Sequence, residues 1–374
     1  QKWADKKAVA RDPKTLEKYR TMLVDQIQYF KVTQYFFFKQ WSELKDYANQ
    51  RGIKIIGDMP IYVAADSVDV WTKPELFQLD KERNPLFVAG VPADQFSATG
   101  QLWGNPLYDW KEHKKQGYTW WIHRIEESFK IYDVLRIDHF KGFSDYWQVD
   151  GKADIAKYGT WQPGPGYDLF KVVKEQLGDL PIIAEDLGNI DEKARKLLTD
   201  CNYPGMKILQ FGFEDVSGKS LDSPHYCIPH SIAYIGTHDN DVTNGWYNGL
   251  TAQQQQYIND YTHRHNDESI CQAMIRQLFA TVNNTAIATM QDILDSPASS
   301  RMNLPSTIGG NWQWRMQKSD LTQDKKDFLA KMTTLYQRAN QEIPMIKFST
   351  FVKNKTNKSL EQLSDKETYI QLLN

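Results

Sequence analysis

Six short runs rich in β-branched and apolar residues recur along this chain, at 53–58, 132–139, 181–186, 205–213, 231–240 and 286–290. Helical periodicity precedes five of them, at 14–51, 118–132, 167–177, from 191, and over 251–263 and 268–281. Strands alternating with helices predict parallel pairing through right-handed crossovers, hence an α/β fold. A (β/α)₈ TIM barrel is the natural candidate, with working residues at the C-terminal strand ends. Two of the eight units are unaccounted for, so periodicity alone also admits an open, doubly wound sheet. Between the first two runs, residues 61–117 carry many turn signals, among them Asn84-Pro85, Val91-Pro92 and Gly104-Asn105-Pro106. A connection that long reads as an inserted loop subdomain. The expected organisation is a catalytic barrel over 1–340, closing with a helix near 320–340, and a C-terminal tail over 341–374.

Three of the runs stop on a carboxylate: Asp138, Glu185 and Asp239. Ending an apolar strand on a charge is costly unless the charge has a partner or a task. In a barrel, three such ends meet on one face. Glycosidic-bond chemistry needs that arrangement: an acid for the leaving oxygen and a carboxylate facing the anomeric carbon, about 5–5.5 Å apart in retaining enzymes. Asp138 follows Arg136 by two residues, so both side chains leave a strand on the same side. A neighbouring guanidinium favours an ionised nucleophile. Glu185 suits the acid/base, with Asp186 turned to the other face, and Asp239 a third carboxylate on sugar hydroxyls beside His238. Each also has an ordinary explanation: an Arg136–Asp138 pair that only satisfies burial, a helix cap at Asp239-Asn240, a helix-dipole pair at Glu185-Asp186.

Composition narrows the alternatives. A net charge of −2 with 25% charged residues gives no electrostatic case for nucleic acid. No apolar stretch approaches the ~18 residues of a membrane span. Cys201, Cys227 and Cys271 are odd in number and widely spaced, which suits reduced thiols. With no export signal read at 1–7, the expectation is a cytoplasmic protein. Phosphate-loop, dinucleotide, helical zinc and Gly-x-Ser-x-Gly signatures are absent from the sequence. His113, His263 and His265 read as surface histidines. Aromatic residues make up 13% of the chain, and flat rings that do not fill core can stack on sugars.

The motifs, taken in order, resemble those of the 4-α-glucanotransferases (amylomaltases or disproportionating enzymes) of the α-amylase clan. They are Ile55-Ile56-Gly57-Asp58-Met59-Pro60, the stretch from Gly90 to Trp110, Leu135-Arg136-Ile137-Asp138-His139-Phe140, Ala184-Glu185-Asp186-Leu187-Gly188, Gly236-Thr237-His238-Asp239-Asn240, Arg301-Met302-Asn303-Leu304-Pro305 and Asn311-Trp312-Gln313-Trp314-Arg315. The resemblance implies a (β/α)₈ barrel, no metal or other cofactor, and retaining transfer of α-1,4-glucan segments from a donor to an acceptor sugar. By motif position it makes Asp138 the nucleophile, Glu185 the acid/base and Asp239 the transition-state stabiliser. It places Asp58, Arg136 and His238 on the glucose at the cleaved bond. Asp94 and Phe96 fall in a loop bordering the acceptor side, and Asn303 in its partner loop. Trp103, with Phe96, Tyr108 and Trp110, is a candidate cover that keeps water out.

Members of that family begin with a further segment carrying the first barrel strands. The six strands are therefore expected to be the third to eighth of the barrel, with unpaired edges and a chain poorly soluble or inactive alone. An α-amylase-type hydrolase with the same triad and a non-catalytic glucan-binding barrel are the competing expectations.

Overall fold

The computed structural model describes residues 5–93, 97–188, 190–305 and 307–339. Asp94, Phe96 and the expected tail at 341–374 lie outside them. The chain divides into two units, Gln1–Met332 and Thr333–Asn374, and all that follows concerns the first.

Ten strands are described: β1 (Ile56–Met59), β2 (Phe87–Val91), β3 (Gln101–Pro106), β4 (Val134–Ile137), β5 (Asp145–Asp150), β6 (Gly159–Pro163), β7 (Ile182–Ala184), β8 (Gly205–Ile208), β9 (Ser231–Tyr234) and β10 (Thr285–Ile287). β1, β4 and β7 pair in parallel in that order, and so do β8, β9 and β10. The two sets join where Ala184 N–H donates to the Pro204 carbonyl at 3.0 Å and Asp186 Oδ1 accepts the Met206 N–H at 2.7 Å. The result is an arc of six parallel strands, one for each run expected from the sequence. Among the described residues, β1 and β10 pair on one side only.

Side-chain alternation sorts this arc into two faces. Val134, Ile183, Met206, Ile208, Ile232, Tyr234 and Ile287 pack together on the inner face. Leu135, Ile137, Ile182 and Ala184 point outward into a core shared with the helices Thr119–Ile131 and Tyr167–Leu177. Ala233 meets Met274 and Leu278 of Ile270–Phe279 in a second outer core. Several helix ends are set by local chemistry. Thr251 with Gln254 and Ser269 with Gln272 form capping boxes, and each serves two N–H groups that the helix cannot.

The expected helix at 14–51 is two helices, Pro13–Met22 and Val24–Asn49, with a break at Leu23. The second runs 26 residues and buries none of them fully. Trp41 and Lys45 tie it to the barrel through the carbonyls of Ile131 and Tyr132. Its Tyr29, Phe30, Tyr35, Phe36, Phe37 and Phe38 are all exposed. The run at 205–213 is strand only to Ile208; Leu209–Glu214 turns into a helix.

The long segment after β1 holds β2 and β3, which form a four-stranded antiparallel sheet with β5 and β6 in the order β3-β2-β5-β6. The second hairpin comes from the β4–β7 connection and was not among the expected strands. Its residues are polar and aromatic, Asp145-Tyr146-Trp147-Gln148, without the β-branched run that signals a strand. Gly90 faces Trp147 and Leu102 here, where an added Cβ would strike the Gln101 carbonyl at 2.4 Å.

His113 is not at the surface. It is buried against Tyr108, Trp110 and Trp120, and burial pulls its pKa down to about 4. Tyr108 and Trp110 belong to this same packed cluster, so their rings fill core and do not cover the site. His263 and His265 are exposed, as expected.

Candidate active site

The strand register brings the acidic and basic residues to one end of the arc. Asp58 pairs with Arg136 across β1 and β4. Arg136 shares the inner face with Val134, and Asp138 follows two residues later on the same side. Glu185 stands two residues past Ile183 in the same way. The backbone ladder continues past the strand ends: Asp138 N–H donates to the Met59 carbonyl, Glu185 N–H to Ile137, and Phe140 N–H to Glu185, each at 3.0 Å. The carboxylates are thus carried by paired backbone, which fixes them more rigidly than a free loop would.

Arg136 is the hub. Its Nη1 donates to Asp58 Oδ1 at 2.6 Å and to Asp138 Oδ1 at 3.1 Å. Burial works against its charge, but Asp58, Asp138 and Glu185 outweigh that and raise its pKa above the usual value. Burial is also the largest influence on Asp58, whose pKa stays raised although Arg136 pulls it down. The carboxylates of Asp58 and Asp138 are each about 40% exposed while the Arg136 side chain is 9% exposed, so the acids open to a ligand and the base lies beneath.

Glu185 is held differently. His139 N–H donates to its Oε2 at 2.7 Å and Leu187 N–H to its Oε1 at 2.8 Å. These bonds favour the charged form. Burial, with the Asp138 charge behind it, wins and lifts the pKa to about 7. His139 itself adopts a left-handed backbone, φ 49°, a conformation a β-carbon disfavours and that functional sites often retain. Its ring packs edge-on to Trp103 at 4.9 Å. Trp103 therefore reaches the site through His139, from β3 of the inserted sheet.

The third carboxylate sits after β9. Asp239 Oδ2 lies 3.3 Å from His238 Nε2, which is also 4.0 Å from Asp58 Oδ2. Asn303 Nδ2 donates to Asp239 Oδ1 at 2.7 Å. Burial is the largest influence on Asp239 and raises its pKa, but the hydrogen bond and charge of His238, the Asn303 hydrogen bond and the Arg136 charge together outweigh it, and the net shift is downward. The bond between His238 and Asp239 also raises His238. Asp239 caps no helix; the helix Thr243–Gly249 begins after Val242. Asp186, turned away from Glu185, accepts the Met206 N–H and is structural.

The structure thus brings together Asp58, Arg136, Asp138, Glu185, His238, Asp239 and Asn303, with Trp103 at the edge; Asp94 and Phe96 lie outside the described residues. Reasoning from sequence did not assign a role to Arg301, which donates from Nη2 to the Asp239 carbonyl at 2.8 Å and from Nε to the Asn303 carbonyl at 2.9 Å. Its place in the Arg301–Pro305 motif was the available signal. Arg301→Ala should lower kcat/KM on maltotriose by about 10²-fold through misplacement of Asp239. Lysine, which lacks the fork, should restore little of it, and steady-state rates of both variants would check this.

Residues 1–322 match the family model described as 4-alpha-glucanotransferase. The chain belongs to the 4-alpha-glucanotransferase family. The 4-alpha-glucanotransferase of Streptococcus pneumoniae serotype 4 is 50% identical over 346 residues, 92% of this chain and 68% of that protein. The 4-alpha-glucanotransferase of Clostridium butyricum is 45% identical over 327 residues, 86% of this chain and 66% of that protein. The amylomaltase of Streptococcus agalactiae, solved in complex with acarbose, superposes with a TM-score of 0.89 at 57% identity, covering 91% of this chain and 68% of that one. Like that amylomaltase, this family member has a TIM-barrel-type α/β fold, and the open-sheet alternative is set aside. No helix among its described residues is long and apolar enough to cross a membrane.

Proposed function

We propose that the chain transfers α-1,4-glucan segments from a donor to the 4-hydroxyl of an acceptor sugar by retaining double displacement. A carboxylate of Asp138 attacks C1 of the donor while Glu185 gives its proton to the departing O4. This leaves a glucosyl ester on Asp138 and an ionised Glu185. Glu185 then takes the proton of the acceptor 4-hydroxyl, whose oxygen attacks C1 and frees Asp138. Asp239, His238, Asp58 and Arg136 hold the reacting ring around the cleaved bond. Asn303 orients Asp239. Trp103 helps to keep water from the site. No metal or other cofactor enters any step, and the setting is cytoplasmic, in keeping with three free cysteines.

The observation that carries this reading is the contrast between two carboxyl groups. Asp138 has a buried guanidinium 3.1 Å away, while burial brings Glu185 to a pKa of about 7. A group that titrates near neutrality can give a proton in one step and recover it in the next. Family membership supports the transferase assignment over hydrolysis. Incubation with maltotriose tests it: glucose plus a ladder of longer maltodextrins is expected. Short sugars alone would mean a hydrolase, and binding without turnover would mean a non-catalytic barrel.

A further inference from the structure

Strand β9 runs into the loop Gly236–Asn240, whose tip carries His238 and Asp239. The loop is tied within itself. Asn240 Oδ1 accepts from the Thr237 N–H and hydroxyl, both at 2.9 Å, and the Asp239 N–H donates to Thr237 Oγ1 at 3.3 Å. Such bonds set the loop's shape, but they do not fix where the whole loop stands over the barrel.

Its two ends are held from outside by one residue. Gln210 lies two residues past the end of β8, in the first turn of the helix Leu209–Glu214. Its backbone N–H donates to the Ile235 carbonyl at 3.0 Å, and its side-chain Nε2 donates to the Asp241 carbonyl at 2.9 Å. Ile235 and Asp241 flank the loop, so Gln210 bridges its entrance and its exit. Gly236 leaves the room for this: a β-carbon there would stand 3.0 Å from the side-chain amide.

The residue type is informative. Gln210 is 2% exposed, and its neighbours Ile208 and Leu209 are buried and apolar. An amide stripped of water at such a place is costly unless it is hydrogen-bonded. An apolar side chain would fill the space without that cost, but it would leave the loop's exit unheld. The acceptor that the amide meets is the one that closes the loop.

We propose that Gln210 is a positioning residue: by clamping both ends of the 236–240 loop it holds His238 and Asp239 in place over the reacting ring. The inference rests on the glucanotransferase reading above. Gln210 itself touches no substrate and takes no part in bond making.

The pair it positions carries its own reporter. His238 Nε2 lies 3.3 Å from Asp239 Oδ2 and 4.0 Å from Asp58 Oδ2, with the Trp312 ring 5.1 Å from its own. The Asp239 hydrogen bond raises the His238 pKa above the ordinary value, against burial and the Arg136 charge. Slackening the loop weakens that bond, so His238 should titrate at lower pH.

The test joins steady-state rates on maltotriose to NMR titration of histidine-labelled protein, with His238 assigned by its absence in His238→Asn. Gln210→Met keeps the volume and removes the donor. Its kcat should fall about tenfold, and KM should stay within about twofold, as for an interaction realised in the transition state. Its His238 should titrate at lower pH than in the parent. Gly236→Ala leaves the donor in place and presses a methyl group on the amide. It should move both readouts the same way, with kcat lower by about threefold. A Gln210→Met protein that melts earlier yet keeps kcat and the His238 titration would overturn the proposal, leaving only a buried amide with a partner. A raised KM at unchanged kcat would overturn it too, since that marks substrate binding. If Gln210→Met does not fold, Gly236→Ala decides, and unchanged kcat and titration there would overturn it. If the unsubstituted protein makes no ladder from maltotriose, the glucanotransferase reading fails, while the His238 titration still judges the clamp.

Discussion

Replacing Asp138 with alanine is expected to abolish glucan transfer, lowering kcat by about 10⁴-fold or more, because no other group can form the ester. Stability should change by no more than about 1 kcal/mol. The reason lies in Arg136. Removing one partner of a buried charge is usually damaging, since the other is left unpaired. Here the guanidinium keeps Asp58 at 2.6 Å, and the lost carboxylate was 40% exposed. Glucose release from maltotriose and a thermal melt measure the two effects together. Activity above about 1% of the parent would remove Asp138 from the nucleophile's role; an inactive variant that has also unfolded would trace the loss to structure.

The second large effect is expected at Glu185. Glu185→Gln cannot donate a proton, and kcat on maltotriose should fall about 10³-fold. The two backbone N–H groups that now meet carboxylate oxygens would face one oxygen and one amide, so the side chain would also be held less well. A maltoside with a nitrophenyl leaving group needs little protonation, and its first displacement should survive in the variant. The unsubstituted protein should lose kcat/KM above pH about 7, roughly tenfold per pH unit, as Glu185 ionises. That alkaline limb should vanish in Glu185→Gln. If it persists, another group titrates there and Glu185 is not the acid.

The same shift bears on stability, and its sign follows from linkage. Folding raises the Glu185 pKa from an ordinary glutamate value to about 7, so between the two the folded state holds more protons than the unfolded one. Stability from this residue is fully present below the ordinary value and is lost as pH rises through about 7. Working at neutral pH therefore places the acid/base where most of that loss has already occurred. A functional group kept at some cost to stability is a common bargain in active sites.

Much of this was legible in the chain because it follows from local rules. The six barrel strands are visible as β-branched runs, and the period of two in a strand is enough to put Arg136 and Asp138 on one side. Tyr167–Leu177 was read to its ends because its amphipathic pattern is uninterrupted. The second hairpin of the inserted sheet was not legible. Asp145–Asp150 and Gly159–Pro163 are strands because β2 is there to pair with, and pairing partners leave no periodic trace in polar sequence. His113 was misplaced for a related reason: a polar residue between lysines on a six-residue helix looks solvated, and only the stacking of Tyr108, Trp110 and Trp120 around it decides otherwise. Tyr108 and Trp110 show the same limit, since ring content could not tell a cover from a core.

By itself, then, the sequence determined an α/β chain of alternating strands and helices, three strand-ending carboxylates and a set of ordered motifs belonging to a glucan-transferring family. These are one-dimensional properties, set by the pattern and spacing of side chains. Tertiary structure alone decided what surrounds each charge. It placed Asp58 opposite Arg136, aimed the His139 and Leu187 N–H groups at Glu185, hung Arg301 beneath Asp239 and stood Trp312 beside His238. Apart from the Leu187 N–H, those contacts join residues 46 to 78 positions apart, and the energies that tune a carboxylate depend on distance in space, on burial and on the neighbour's charge. No local pattern encodes them.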